Sequence, residues 1–290
     1  MVYINIFYMN IFYNLEYIFL GDLMNIGDYV TRNSHNNDMI FKIIDIKDDI
    51  AYLKGANVRL IADSNIDDLV KVEFKESNDE EVVERIKDET NLDRDDYFYL
   101  PGKILHIDGD QEYLDRCLKY YQKMNLMAMG ICEDENIVPE KITQYLEEYN
   151  PSILIITGHD AYYKKKGNEK DINNYKNSLN FVKSVKEARK YEKNQDKLII
   201  IAGACQSDFE ELIKAGANFA SSPKRVNIHA LDPAIIASLI GYSDINKDID
   251  LKNIISSTKY GKEGIGGIIT KGTMYVGYPR WQYQKLKWNY

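Results

Sequence analysis

Ser152-Ile-Leu-Ile-Ile-Thr157 runs straight into Gly158-His159-Asp160-Ala161, and Lys197-Leu-Ile-Ile-Ile-Ala202 runs into Gly203-Ala204-Cys205-Gln206-Ser207. Unbroken apolar runs of this length, bounded by glycine, read as strands buried on both faces, because a half-exposed strand would alternate polar with apolar residues. Each run ends in small and polar residues, so a histidine and a cysteine are expected at the carboxyl ends of two strands. In open α/β sheets that edge is where ligands and chemistry gather.

Working outward, apolar runs alternate with amphipathic ones. Strands are expected at 103–107, 126–131, 153–157 and 198–202, with shorter ones near 218–220 and 267–269. Helices are expected at 111–124, 139–149, 174–193, 209–215 and 233–240. Strict alternation with short connections predicts an α/β fold, a mainly parallel sheet flanked by helices, over 99–280. Upstream, the turn signals Gly27-Asp28, Asn36-Asn37-Asp38, Lys47-Asp48-Asp49 and Gly55-Ala56-Asn57 separate short alternating runs. These predict a small SH3-like β-barrel over 24–74. The charged stretch 75–98 reads either as a solvated helix or as a linker, and Arg94 within it as an accessible cleavage point. Residues 281–290 read as a tail.

Residues 1–23 are rich in Tyr, Ile and Phe and carry no Lys or Arg, a poor match to a secretory signal. Asn5, Asn10, Asn14, Glu16 and Gly21-Asp22 interrupt any apolar run long enough to span a bilayer. Met24 is the expected start of the native fold, and no membrane partner is expected. A formal charge of −8 argues against a dominant nucleic-acid surface, and Lys164-Lys165-Lys166 reads as solvated loop. Three cysteines, Cys117, Cys132 and Cys205, are too few and too irregularly spaced for a disulfide framework or a zinc site. No phosphate-binding glycine loop follows a strand. Gly261, Gly264, Gly266 and Gly267 lack that context, so no cofactor and no metal are expected.

A thiol beside an imidazole is the minimum equipment for nucleophilic catalysis, which nominates Cys205 as nucleophile and His159 as base. Cys205 precedes a helix expected near Asp208, whose N-terminal dipole favours a thiolate, so an acidified thiol is expected. Gly158, Asp160, Ala204 and Gln206 flank the pair and are candidates to support the oxyanion through backbone N–H groups. Cys117, inside a helical pattern, and Cys132, at the end of a strand, read as packing residues. His229 is the rival base, since it follows Cys205 as the base does in glutamine amidotransferases. The sequence Gly203-Ala-Cys-Gln-Ser207 lacks the last glycine of that elbow, and no late His-x-Glu occurs. His106, in Leu105-His-Ile-Asp-Gly-Asp110, is a further candidate base, with a site role and a structural one both open.

The segments Val58-Arg-Leu-Ile-Ala-Asp63, Tyr99-Leu-Pro-Gly-Lys-Ile-Leu-His-Ile-Asp-Gly-Asp110, Ile156-Thr-Gly-His-Asp160, Asp171-Ile-Asn-Asn-Tyr175, Ala202-Gly-Ala-Cys-Gln-Ser207 and Ala217-Asn-Phe-Ala-Ser-Ser-Pro-Lys-Arg225 resemble the YabG family of sporulation-specific peptidases. The resemblance runs from Asn25 to Pro279. It implies a cysteine protease of the sporulating mother cell, cytoplasmic or associated with the spore coat. Spore-coat proteins would be its substrates, with cleavage next to Arg, Cys205 as nucleophile and His159 as base. More distantly, His and Ala-Cys at strand ends are similar to caspase- and clostripain-like peptidases, whose His is followed by Gly where this chain has Asp160. An Arg side chain needs a carboxylate partner when desolvated, and Asp160, Asp208 and Asp232 are the candidates. Two other readings stay open: an amidotransferase-like thiol hydrolase, and a non-catalytic coat-assembly module.

Overall fold

The computed structural model describes residues 24–74, 79–89, 96–163 and 167–280. The expectations for residues 1–23, Arg94, Lys164 to Lys166 and 281–290 lie outside them. Contacts divide the chain into two units, the first running to Ala56 and resuming at 61–76, the second holding 57–60 and everything from Ser77 onward.

The first unit is one antiparallel sheet of β1 (Tyr29–Arg32), β2 (Phe41–Lys47), β3 (Ile50–Gly55), β4 (Ile61–Asn65) and β5 (Leu69–Lys71), in the order β4-β3-β2-β1-β5. Val30, Phe41, Ile43, Ala51 and Leu53 are buried and the alternate positions are more exposed, the period-two pattern of a sheet with one packed face. A register shift between Ile43 and Asp45 bends β2 against β3.

The second unit is α/β. Its central sheet contains β7 (Ile104–Asp108), β8 (Ala128–Cys132), β9 (Ile153–Thr157), β10 (Ile199–Ala202), β11 (Phe219–Ser221) and β12 (Ile265–Gly267), in the order β12-β11-β10-β9-β7-β8. All neighbours pair in parallel except β12, which runs antiparallel to β11, so the sheet is mixed at one edge. The helices are α1 (Asp79–Glu89), α2 (Gln111–Lys123), α3 (Val138–Tyr149), α4 (Ser178–Tyr191), α5 (Phe209–Ala215), α6 (Asp232–Gly241) and α7 (Leu251–Ser256). A two-stranded ribbon pairs β6 (Phe98–Leu100) with β13 (Tyr275–Gly277).

The two apolar runs that announce the sheet are its core strands. Ile153, Ile155, Ile199 and Ile201 pack on one face with Tyr120, Tyr121, Ile236 and Ile240 from α2 and α6. Leu154, Ile156, Ile200 and Ala202 pack on the other with Ile142, Leu146, Phe181 and Val185 from α3 and α4. Local signals set the helix ends: Asp110 caps α2 by accepting from the Glu112 and Tyr113 amides, and Pro sits in the first turn of α3 and of α6. Gly216 stops α5 at φ 110°. Within the charged stretch, α1 is helical and its Val83 and Ile86 are buried, so one face packs and the rest is solvated. Cys132, expected to pack, is instead exposed, because β8 is the edge strand. No helix among the described residues is long and apolar enough to cross a membrane.

Candidate active site

Strands β9 and β10 are parallel neighbours in the register Ile156 to Ala202, and the Gly203 amide continues the ladder by donating to the Ile156 carbonyl at 3.0 Å. The two polar tails therefore leave the sheet side by side at its carboxyl edge. Both turns require glycine. Gly203 has φ 100°, and a Cβ there would meet Leu212 at 2.8 Å. A Cβ on Gly158 would collide with the Glu135 carboxylate, which accepts the His159 amide at 2.7 Å.

His159 is held from several sides. Its Nε2 lies 3.0 Å from Oδ2 of Asp110, its ring stands edge-on to Tyr113 with centroids 5.7 Å apart, and its carbonyl accepts from Asn177. A carboxylate facing two backbone donors and one ring only accepts, so Nε2 carries the proton and Nδ1 presents a lone pair. That Nδ1 is buried and has no partner. Orientation of the ring by a third group is one part of what nucleophilic catalysis requires, but no hydrogen bond joins His159 to Cys205, whose sulfur meets the Ile228 backbone instead.

Cys205 is fully buried. Its Sγ accepts from the Ile228 amide at 3.3 Å and lies 3.8 Å from the Ile228 carbonyl. The thiol is not acidified as expected from its place ahead of a helix. Burial pushes it up to about 12, against a smaller lowering by the Ile228 backbone and by the charge and backbone of Arg59. The reason is burial: the sulfur is enclosed in the core, four residues before α5 begins at Phe209, and desolvation outweighs the lowering contributions.

The flanking candidates divide by task. Asp160 is buried, and its two oxygens accept from the Ala161 and Asn177 amides, from Ser178 Oγ at 2.5 Å and from Ser207 Oγ at 2.8 Å. With every direction filled it ties three loops together, and burial outweighs these bonds to push its pKa up. The Ala204 amide donates to Ser207 Oγ at 2.9 Å. Gln206 takes φ 61°, and its amide faces Ser222 Oγ at 2.9 Å and the Val226 carbonyl at 3.2 Å.

The remaining acids and histidines lie in different surroundings. Asp232 is buried and accepts from the His229 and Lys259 amides, with burial raising it to about 6. Asp208 caps α5, faces the guanidinium of Arg225 at 3.4 Å, and leaves its Oδ2 buried without a partner. His229 accepts the Leu231 amide on Nδ1, and burial, with Arg116 and Lys259 nearby, lowers it to about 3, so it stays neutral. His106 sits mid-strand rather than at a strand end. It is fully buried with Nδ1 3.0 Å from Tyr121 and Nε2 2.9 Å from Thr157, so neither nitrogen is open to a substrate.

These distances introduce residues that sequence reasoning missed. Asp110 and Glu135 follow β7 and β8 and meet His159 only through the sheet order. The chain belongs to the YabG peptidase family. The family model described as YabG peptidase U57 matches residues 25–279. The sporulation-specific protease YabG of Bacillus subtilis (strain 168) is 42% identical over 286 residues, covering 88% of this chain and 97% of that relative. No solved structure gives a significant match.

Arg59, inside one of the segments that carry the YabG resemblance, is the other missed residue. It is fully buried and salt-bridged to Asp108 at 2.5 Å, and it donates to the Ala230 carbonyl at 3.1 Å. Burial opposes ionisation of Asp108, but Arg59 and His106 overcome it and hold the carboxyl at about 2. Thr157 donates to the same carboxylate at 2.9 Å, so this YabG-family chain locks the end of β9 to β7 just before His159.

Proposed function

We propose that this YabG-family chain is a sporulation-specific cysteine endopeptidase that cuts spore-coat and related proteins next to Arg, using Cys205 as nucleophile and His159 as general base and acid. The observation that carries the reading is the pairing of β9 with β10, which brings the tails bearing His159 and Cys205 to one sheet edge while Asp110 orients the imidazole. His159 Nδ1 takes the thiol proton and the thiolate attacks the carbonyl after Arg. Backbone amides beside Cys205 hold the tetrahedral oxyanion, with Gly158 and Ala204 giving the chain its close approach. The imidazolium then protonates the leaving amine, and water resolves the thioester with the same base.

The name of the Bacillus relative supports the sporulation role. The His and Ala-Cys strand ends support a caspase-like arrangement for the sheet, and the short paired strands of the first unit support an SH3-like barrel. The mother-cell cytoplasm or the spore coat is the proposed site of action.

The test is cleavage of an Arg-containing spore-coat protein by wild-type, Cys205→Ala, His159→Ala and His229→Ala chains. Loss of more than about a thousandfold is expected for the first two and near-wild-type activity for the third. Equal cleavage by Cys205→Ala overturns the nucleophile. Loss confined to His229→Ala reassigns the base, and ammonia release from glutamine would favour the amidotransferase.

A further inference from the structure

Arg225 lies on a stretch that crosses the nucleophile. Val226 offers its carbonyl to the Gln206 amide, next to Cys205, and Ile228 clasps the Cys205 sulfur with its backbone. Ser222 fastens the near end, its hydroxyl bonding the Ala204 and Val226 carbonyls at 3.1 and 2.7 Å. Residues 222–228 thus form a strap over the thiol.

The strap holds a strained conformation. Ser222 and Arg225 both sit in the left-handed region, at φ 63° and 53°, which non-glycine residues adopt only when their surroundings hold them there. Arg225 is held by a turn, its amide donating to the Ser222 carbonyl at 2.9 Å, and by its side chain. Nε donates to the Tyr175 hydroxyl at 2.6 Å, Nη1 to the Ser222 carbonyl at 3.2 Å, and Nη2 to Glu210 Oε2 at 2.5 Å and Asp208 Oδ1 at 3.4 Å. The cradle has unused capacity: the Asp208 side chain is 3% exposed and its Oδ2 has no partner. A buried carboxylate oxygen without a donor is costly, and a guanidinium presented in a fork would fill both oxygens.

We propose that Tyr175, Asp208 and Glu210 form the guanidinium subsite of the protease, and that Arg225 fills it as an internal stand-in for substrate, latching residues 222–228 over Cys205. The assignment rests on the peptidase reading of Cys205. A substrate Arg displaces Arg225, releases the strap, and exposes the sulfur and the Gln206 amide in one step. Binding of the correct side chain and opening of the nucleophile are then a single equilibrium.

Two readouts test this on the full chain carrying Cys132→Ser, which removes the exposed thiol. The first is the rate of iodoacetamide labelling at Cys205, located by mass spectrometry, which needs no turnover. The second is KM for a peptidyl-Arg aminocoumarin substrate. Arg225→Gln is expected to label about tenfold faster and to lower KM several-fold, because the competitor is gone. Asp208→Asn, which keeps the helix cap, and Glu210→Gln, on a half-exposed side chain, are expected to label faster but to raise KM about tenfold.

Unchanged labelling in Arg225→Gln and Glu210→Gln overturns the latch. Faster labelling with unchanged KM in Asp208→Asn and Glu210→Gln overturns the subsite, leaving those acids as anchors of the strap alone. Absence of turnover in every chain, wild type included, strikes the peptidase reading instead, and the labelling rates still decide the latch.

Discussion

Nε2 of His159 lies 3.0 Å from Oδ2 of Asp110, the residue that also caps α2. One carboxylate therefore fixes a helix start and an imidazole orientation. Asp110→Asn keeps a good N-cap but offers His159 a neutral amide in place of an anionic acceptor. A fall in kcat of about two to four orders of magnitude is expected, with KM and melting temperature little changed. Steady-state kinetics beside a thermal melt check it: parallel losses in melting temperature and kcat would make Asp110 a cap and nothing more.

Arg59 and Asp108 are a wholly buried ion pair, and removing one partner strands the other charge. Arg59→Met is expected to lower stability by about 3–5 kcal/mol, while Arg59→Met with Asp108→Asn recovers much of it. Because Asp108 is held at about 2, below the ordinary value of 3.8, its contribution is complete above pH 4 and fades as pH falls through 2. Urea titrations of the wild type, Arg59→Met, Asp108→Asn and the double variant at pH 7 and pH 3 measure both effects, and an additive double variant would show that the pair does not interact.

The Cys205 thiol, pushed up to about 12 in its covered position, is almost wholly protonated near neutrality. Alkylation follows the thiolate, so the labelling rate is expected to rise about tenfold per pH unit from pH 7 to 10 without a plateau. A plateau below pH 8 in the wild-type chain would mean that the sulfur is already a thiolate in the resting enzyme.

His229 is lowered to about 3 in the fold from an ordinary 6.5, so the unfolded chain takes up its proton first as pH falls. Its contribution to stability is complete above 6.5 and is lost progressively toward 3, at up to about 1.4 kcal/mol per pH unit. Asp232, raised to about 6, acts in the opposite sense between 6 and 3.8. His229→Asn, which keeps an acceptor for the Leu231 amide, is expected to gain stability relative to wild type on going from pH 7 to pH 4. Equal acid sensitivity in the two chains would contradict the neutral buried histidine.

The apolar runs at 153–157 and 198–202 were legible because a strand buried on both faces must be apolar throughout. The strand limits Ile153–Thr157 and the helix Phe209–Ala215 follow from that rule and from the Asp208 cap and Gly216 stop. The nucleophile and base candidates were legible for the same reason, since a polar residue at the end of such a run has no core to enter. His106 was harder to read. A histidine in a strand looks alike whether it meets water or, as here, Tyr121 and Thr157.

The sequence by itself determined the alternating α/β order, the strand ends carrying His159 and Cys205, and the membership in a peptidase family that its motifs announce. All of these depend on residues close together in the chain. Tertiary structure alone decided that Asp110 orients His159 and that Arg59 neutralises Asp108, pairs 49 residues apart in each case. It also decided that the Ile228 backbone meets a buried Cys205 thiol, which burial pushes up rather than acidifies. Burial and long-range pairing set charge and access, and neither is written in local periodicity.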